Sequence, residues 1–247
     1  MRVLLTGGTG LLGSAIAHEL ARPASGHDVT APTIEQLDLR DQAGVTALLE
    51  AVRPDAIIHT AAAVGGIDAR RQHPMGYLLN NLTIDSAVIG GAVRQGVSRL
   101  IYISSAAIYP AAAPQPIGET ALMGGPLAPD SESYALAKIA GSRLCALASE
   151  EYGFAYRALA PANMYGPGDD YTPGRAHLIA SAIDKIATAT RDGLPDVDVW
   201  GDGTARREFL YAPDLAGWIA ASLDRLEDWP PLMNVGVGED HSVGDYY

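Results

Sequence analysis

Residues 2–20 leave this chain of 247 residues few choices of architecture. A short apolar run, Val3–Thr6, leads directly into Thr6-Gly7-Gly8-Thr9-Gly10-Leu11-Leu12-Gly13, and a helical pattern over Leu11–Ala21 follows. In a strand–loop–helix of this kind the glycines have separable jobs. Gly7 permits a tight turn, Gly10 lets a pyrophosphate approach the backbone, and Gly13 allows the helix to pack closely on the strand. The helix N-terminus then offers free N–H groups and a positive dipole end to phosphate. Dinucleotide binding is the function this segment predicts.

The rest of the chain repeats the alternation. Apolar runs at Val29–Ala31, Ala56–His59, Leu100–Ser104, Tyr156–Leu159 and Val197–Trp200 read as strands. Helical patterns at Ala43–Ala51, Gly76–Arg94, Tyr134–Glu151, Ala176–Thr190 and Pro213–Arg225 lie between or beyond them. Strand followed by helix, repeated, predicts an α/β fold, a doubly wound parallel sheet covered by helices on both faces. We expect residues 1–160 to form the dinucleotide-binding, Rossmann-like domain. Residues 161–247 are expected to form a partial substrate-binding lobe interleaved with the last sheet elements. Two turn-rich stretches, Tyr109–Glu132 and Asn163–Arg175, each follow a strand, where the ligand loops of an open α/β sheet lie.

Composition narrows the partners. Seventeen basic residues against 29 acidic give a net charge of −12, which disfavours nucleic acid and anionic membranes. A single cysteine, Cys145, excludes an internal disulfide and a multi-cysteine metal site. The histidines show neither HExxH nor HxH grouping, so no metal is expected. No apolar run has the length of a signal peptide or of a membrane span, so the expected location is the cytoplasm.

Tyr134 and Lys138 stand four residues apart on an expected helix and so share a face. Two lysines and 11 tyrosines placed at random would give about 0.09 such pairs. The chemistry of the pair is specific. A phenol with an ordinary pKa near ~10 is a poor proton-transfer group at neutrality, and an adjacent ammonium favours its phenolate. Ser104 and Ser105 end the strand before it. A serine there suits a hydrogen bond to a substrate carbonyl, or simply ends the strand. The dinucleotide is left open. Ala31-Pro32-Thr33 offers neither the carboxylate that would hold a ribose 2′-hydroxyl nor the arginine that would hold a 2′-phosphate. Asp38 suits either an adenine-side contact or a helix N-cap.

TGGTGLLG, SSAAIYP and YALAKIAG together resemble the extended short-chain dehydrogenase/reductase family. AAAVGGI, AIYPAAAPQPIGE, PANMYGPGDD, AHLIASAI and VWGDGTARREFLY extend the resemblance to its GDP-L-fucose synthase branch. The branch comprises NADPH-dependent epimerase/reductases of GDP-4-keto-6-deoxymannose. The resemblance implies a catalytic set of Ser105, Tyr134 and Lys138. It selects Ser105 over Ser104, because the family's serine lies four residues before the tyrosine of the IYP element, here Tyr109. Cofactor contacts are expected from Gly7, Gly8, Thr9, Gly10, Leu11, Leu12 and Gly13, from Lys138, and from Asp38 on its adenine-side reading. On the nicotinamide side it adds Pro161, Ala162, Asn163, Met164 and His177. Lys185, Trp200 and Arg207 match positions that hold the GDP-sugar, the two cations facing the diphosphate. Trp200 is open to a second reading as core. NADP is the cofactor implied, with NAD still open, and a homodimer through the helices at 76–94 and 134–151 is expected.

The chain also departs from the branch. The family moves protons at C3 and C5 of the keto-sugar with a cysteine and a histidine. His177 occupies the histidine position, but the cysteine position is Ala107. The reading is therefore a nucleotide-sugar oxidoreductase that reduces a 4-keto group, with epimerisation in question. An NAD-dependent nucleotide-sugar 4-epimerase and a non-catalytic dinucleotide-binding protein are the alternatives. The family continues past the NVGVGE element, so Tyr247 is expected to fall inside the substrate lobe.

Overall fold

The computed structural model describes residues 1–172 and 176–247. The end of the turn-rich stretch expected to finish at Arg175 lies outside the described residues. The order of elements begins β1 (Arg2–Thr6), α1 (Leu11–Leu20), β2 (Asp28–Thr30), α2 (Gln42–Val52), β3 (Ala56–His59), α3 (Ile67–Gln72), α4 (Pro74–Arg94) and β4 (Arg99–Ile103). It continues α5 (Glu132–Tyr152), β5 (Ala155–Pro161), β6 (Asn163–Tyr165), α6 (Leu178–Asp192), β7 (Arg206–Arg207) and β8 (Phe209–Tyr211). It closes with α7 (Ala212–Ser222), β9 (Leu232–Val235), β10 (His241–Ser242) and α8 (Val243–Tyr246).

Six parallel strands form one sheet in the order β2-β1-β3-β4-β5-β9. This is the Rossmann-like doubly wound architecture that the alternation predicts. Period-two side chains feed a core on each face. Val3, Leu5, Ile101 and Ile103 meet α1 and α7 on one face, through Ile16, Leu215 and Ile219. Leu4, Leu100 and Tyr102 meet α2, α4 and α5 on the other, through Leu49, Val88 and Cys145. Because the chain leaves β1 in one direction for β2 and crosses back to β3, a crevice opens beyond the C-terminal ends of β1, β3 and β4.

Two expectations are corrected. Val197–Trp200 is not a strand. Asp196 and Asp198 keep that stretch polar, Trp200 is 76% exposed, and the open edge of β5 is already taken by β9. The expected helix over Pro213–Arg225 ends at Ser222, and 3₁₀ turns carry the chain from Leu223 to Asp228, where Leu223 and Leu226 bury themselves. Outside the main sheet, β6 pairs with β8 and β7 with β10. No helix among the described residues is long and apolar enough to cross a membrane.

Candidate active site

The glycine loop leaves β1 through Gly7 at φ +77°, a conformation L side chains rarely adopt. A Cβ at Gly13 would overlap the carbonyl oxygen of Gly7, so α1 can begin this close to β1 only with glycine there. Gly10 is different. Its φ is −81°, and the nearest atom a Cβ would meet is the Gly7 oxygen at 3.5 Å. The space above Gly10 is open, and α1 starts there without a side-chain cap. Uncapped N–H groups beneath an open glycine form a cradle that fits a pyrophosphate.

Across the crevice, β4 ends at Ile103 and presents two serines with different fates. Ser104 is buried and its hydroxyl is hydrogen-bonded to that of Ser142 at 2.8 Å. The Ser105 hydroxyl accepts from the Ala107 N–H at 3.2 Å and contacts the phenol of Tyr134. Tyr134 lies in the first turn of α5, one helical turn before Lys138. Lys138 is 1% exposed; its Nζ donates to the Ile103 carbonyl at 2.8 Å and lies 6.0 Å from the Tyr134 ring centre. Burial pushes the Tyr134 phenol up to about 12, against the pull of Arg70 and Ser105. Burial also lowers the Lys138 ammonium, and the carboxylate of Asp85 opposes that shift. A phenol in this state is protonated at neutral pH, the form in which a group donates a proton.

The other expected positions are more scattered. Asp38 does not cap α2; Asp41 does, accepting from Ala43 N–H. Asp38 instead accepts from the Arg40 guanidinium at 2.6 Å, which holds its carboxyl down at about 2. Pro161 ends β5, Ala162 donates to Val235 O at 2.8 Å, and Asn163 donates to Glu208 O at 3.2 Å. Met164 packs against the α1/α7 core. His177 is exposed at the N-cap of α6. Lys185 donates to Asp198 O at 2.7 Å and stands 5.6 Å from the Trp200 ring centre and 6.0 Å from that of Tyr247. Trp200 is exposed, which overturns its reading as core. The Arg207 carbonyl accepts from the Tyr246 hydroxyl at 3.0 Å, so the segment at 246–247 touches both cation-bearing elements.

Ala107 sits in the 3₁₀ turn immediately after Ser105. Two groups that could replace a cysteine there are occupied or remote. The Tyr109 hydroxyl donates to Asn234 Oδ1 at 2.5 Å and burial raises its phenol to about 12. Cys145 is fully buried on α5 with its thiol pushed well up by desolvation.

Several residues around the site went unread in the sequence. Asn81 is fully buried and pins the loop after β3, its amide bridging Ala63 N, Ala63 O and Tyr77 O. Asp85 lies one turn later on the same buried face of α4. The signal was present: Asn81, Asp85, Val88 and Ala92 share one helical stripe, so two polar side chains point into the core. Arg70 of α3 places its Cζ 5.7 Å from the Tyr134 ring centre.

Comparison with known proteins agrees over nearly the whole chain. The sequence model of the NAD dependent epimerase/dehydratase family matches residues 3–236. GDP-L-fucose synthase of Azorhizobium caulinodans is 40% identical over 246 residues, covering 100% of this chain and 78% of that one. GDP-L-colitose synthase of Yersinia pseudotuberculosis is 34% identical over 249 residues, covering 100% of this chain and 80% of that one. Among solved structures, a GDP-L-fucose synthetase from Naegleria fowleri bound to NADP superposes with a TM-score of 0.88 at 26% identity, over 99% of this chain and 75% of that one.

Proposed function

The chain belongs to the NAD dependent epimerase/dehydratase family, and on that premise we propose that it is an NADPH-dependent oxidoreductase reducing the 4-keto group of a GDP-linked sugar. The observation that carries the reading is the meeting of Ser105, Tyr134 and Lys138 across the crevice from the Gly7–Gly13 cradle. The names of the relatives support the nucleotide sugar, and the NADP-bound relative supports the cofactor. When bound, the nicotinamide dinucleotide supplies hydride. The protein's own groups do the rest. The Ser105 hydroxyl bonds the substrate carbonyl oxygen. Tyr134 gives its proton to the oxygen as negative charge develops there, and Lys138 stabilises the phenolate left behind. Residues 1–160 hold the dinucleotide, with Asp38 on its adenine side and Pro161–Met164 on its nicotinamide side. In residues 161–247, Lys185, Trp200 and Arg207 face the GDP-sugar and His177 its ring.

Epimerisation at C3 and C5 needs a base on one face of the keto-sugar and an acid on the other. Ala107 can be neither, the Tyr109 hydroxyl is engaged by Asn234, and Cys145 is buried. We therefore expect GDP-4-keto-6-deoxymannose incubated with the protein in deuterated water to gain little deuterium at C3 and C5, while NADPH is still oxidised in its presence. Rapid exchange at both carbons would restore the full epimerase/reductase. Ala107→Cys is expected to raise the exchange rate.

The assembly proposed is a homodimer. Leu79 and Leu82 on α4 and Leu136, Leu144 and Leu147 on α5 are between 37% and 58% exposed on neighbouring helices. Exposed leucines gathered on two packed helices suit an interface between protein copies. Sedimentation should give twice the chain mass, and Leu144→Glu should halve it. A monomeric parent protein would overturn the assembly.

A further inference from the structure

Behind the proposed catalytic pair lies a buried polar chain that the mechanism above does not use. Thr6 Oγ1 meets His59 Nδ1 at 2.7 Å, and His59 Nε2 meets Asp85 Oδ1 at 3.1 Å. Tyr102 donates its hydroxyl to Asp85 Oδ2 at 2.5 Å. The face of the same Tyr102 ring receives Lys138 Nζ, 4.5 Å from its centre. Thr6, His59, Asp85, Tyr102 and Lys138 are each no more than 1% exposed. The carboxylate can only accept, so His59 Nε2–H donates to it. The chain thus ties together β1, β3, α4, β4 and α5. Helix α5 can approach it only because residue 141 is glycine. A Cβ there would overlap the Tyr102 hydroxyl and lie 2.8 Å from Asp85 Oδ2.

Core packing alone gives no reason to bury a carboxylate here, since an apolar side chain of similar size costs less. Lys138 does give one. A fully buried lysine tends to shed its proton, because desolvation penalises the ammonium. Its Nζ donates to a neutral carbonyl, that of Ile103. The groups facing the pair are His59 from β3, Tyr102 from β4, and Tyr134 and Cys145 from α5, with Arg70 of α3 against Tyr134. Asp85 is the one carboxylate in this set. The hydrogen bond from Tyr102 to that carboxylate also enriches the ring on which the ammonium rests.

We propose that Asp85 is a positioning residue of the active site: it is the buried counter-charge that keeps Lys138 an ammonium, and through the Tyr102 ring it fixes where that ammonium sits. The inference rests on the reading of Tyr134 as proton donor only for its catalytic consequence. Its electrostatic content can be tested without substrate.

The chain contains only two lysines, Lys138 and Lys185. Lysine labelled with ¹³C and ¹⁵N therefore gives two side-chain signals, which a Lys185→Arg variant assigns. In Asp85→Asn, which keeps the shape and an acceptor for Tyr102, the Lys138 titration midpoint should fall by about one unit or more. On GDP-4-keto-6-deoxymannose, kcat at pH 8 should fall about tenfold or more, with KM within about threefold. A packing role alone would lower stability and leave the midpoint where it was. An unchanged midpoint overturns the proposal, whatever happens to activity. A lowered midpoint in a protein whose parent does not oxidise NADPH with the keto-sugar overturns the proposed function and supports the role of Asp85. Should Asp85→Asn fail to fold, Tyr102→Phe keeps the ring and removes the bond. It is expected to lower the midpoint by a smaller amount, and no change there overturns the proposal equally.

Discussion

Tyr134→Phe is expected to lower kcat for 4-keto reduction by ~10²–10⁴, the range typical of losing a positioned proton donor. The substitution removes one oxygen and keeps the ring. That ring is 9% exposed, so its packing survives. The Ser105 hydroxyl loses a partner but faces the crevice, where water can replace it. Cofactor affinity should therefore stay within about threefold of the parent, as the cradle at Gly7–Gly13 lies across the site. Burial raises the phenol to about 12, so its acid form is complete through the neutral range in the parent protein. The reductive rate should fall only as pH climbs toward that value. NADPH oxidation followed spectrophotometrically, with binding followed by calorimetry, checks both halves. A phenylalanine variant with near-parental kcat would remove Tyr134 from the mechanism.

Gly10→Val is expected to weaken dinucleotide binding by at least ~100-fold, equivalent to ~2.7 kcal/mol. The reason is steric and local. At Gly10 the backbone is extended, and a Cβ would touch only the Gly7 carbonyl oxygen, at an ordinary 3.5 Å. A valine there should leave the fold intact and fill only the space where a pyrophosphate must approach the backbone. This separates Gly10 from Gly13, where even alanine would overlap Gly7 and disturb the β1–α1 junction itself. The expected pattern is thus a folded Gly10→Val protein that no longer binds and a destabilised Gly13→Ala protein. Thermal melting and calorimetry distinguish them. Unchanged affinity in Gly10→Val would place the pyrophosphate elsewhere.

Much of this architecture was legible because its signals are local. The first strand, the glycine loop and α1 are contiguous, and the positive φ of Gly7 and the close approach of Gly13 to the Gly7 oxygen lie within seven residues of chain. The same holds for Tyr134 and Lys138, which one turn of helix brings onto a shared face. Strands β1, β3 and β4 are buried on both sides and read as near-continuous apolar runs, and in β5 Arg157 alone interrupts the run. The sixth strand was misplaced for the opposite reason. Val197–Trp200 has a strand's composition, yet its carboxylates and exposed indole leave it outside the sheet, while Leu232–Val235 wins the edge of β5 by its position in space.

From the residues themselves come the alternation that demands a parallel sheet, the cradle for a dinucleotide and the Tyr–Lys pair. These follow from spacing and side-chain chemistry over a few residues. Tertiary structure alone decided that Asp38 pairs with Arg40 rather than capping a helix, and that Trp200 stands in solvent. It also gathered His59, Asp85, Tyr102 and Lys138 from four separate elements around the backbone of Gly141. No sequence period reports such a meeting, because burial and the distance between charges depend on how sheet and helices pack, and those two quantities determine whether a lysine keeps its proton.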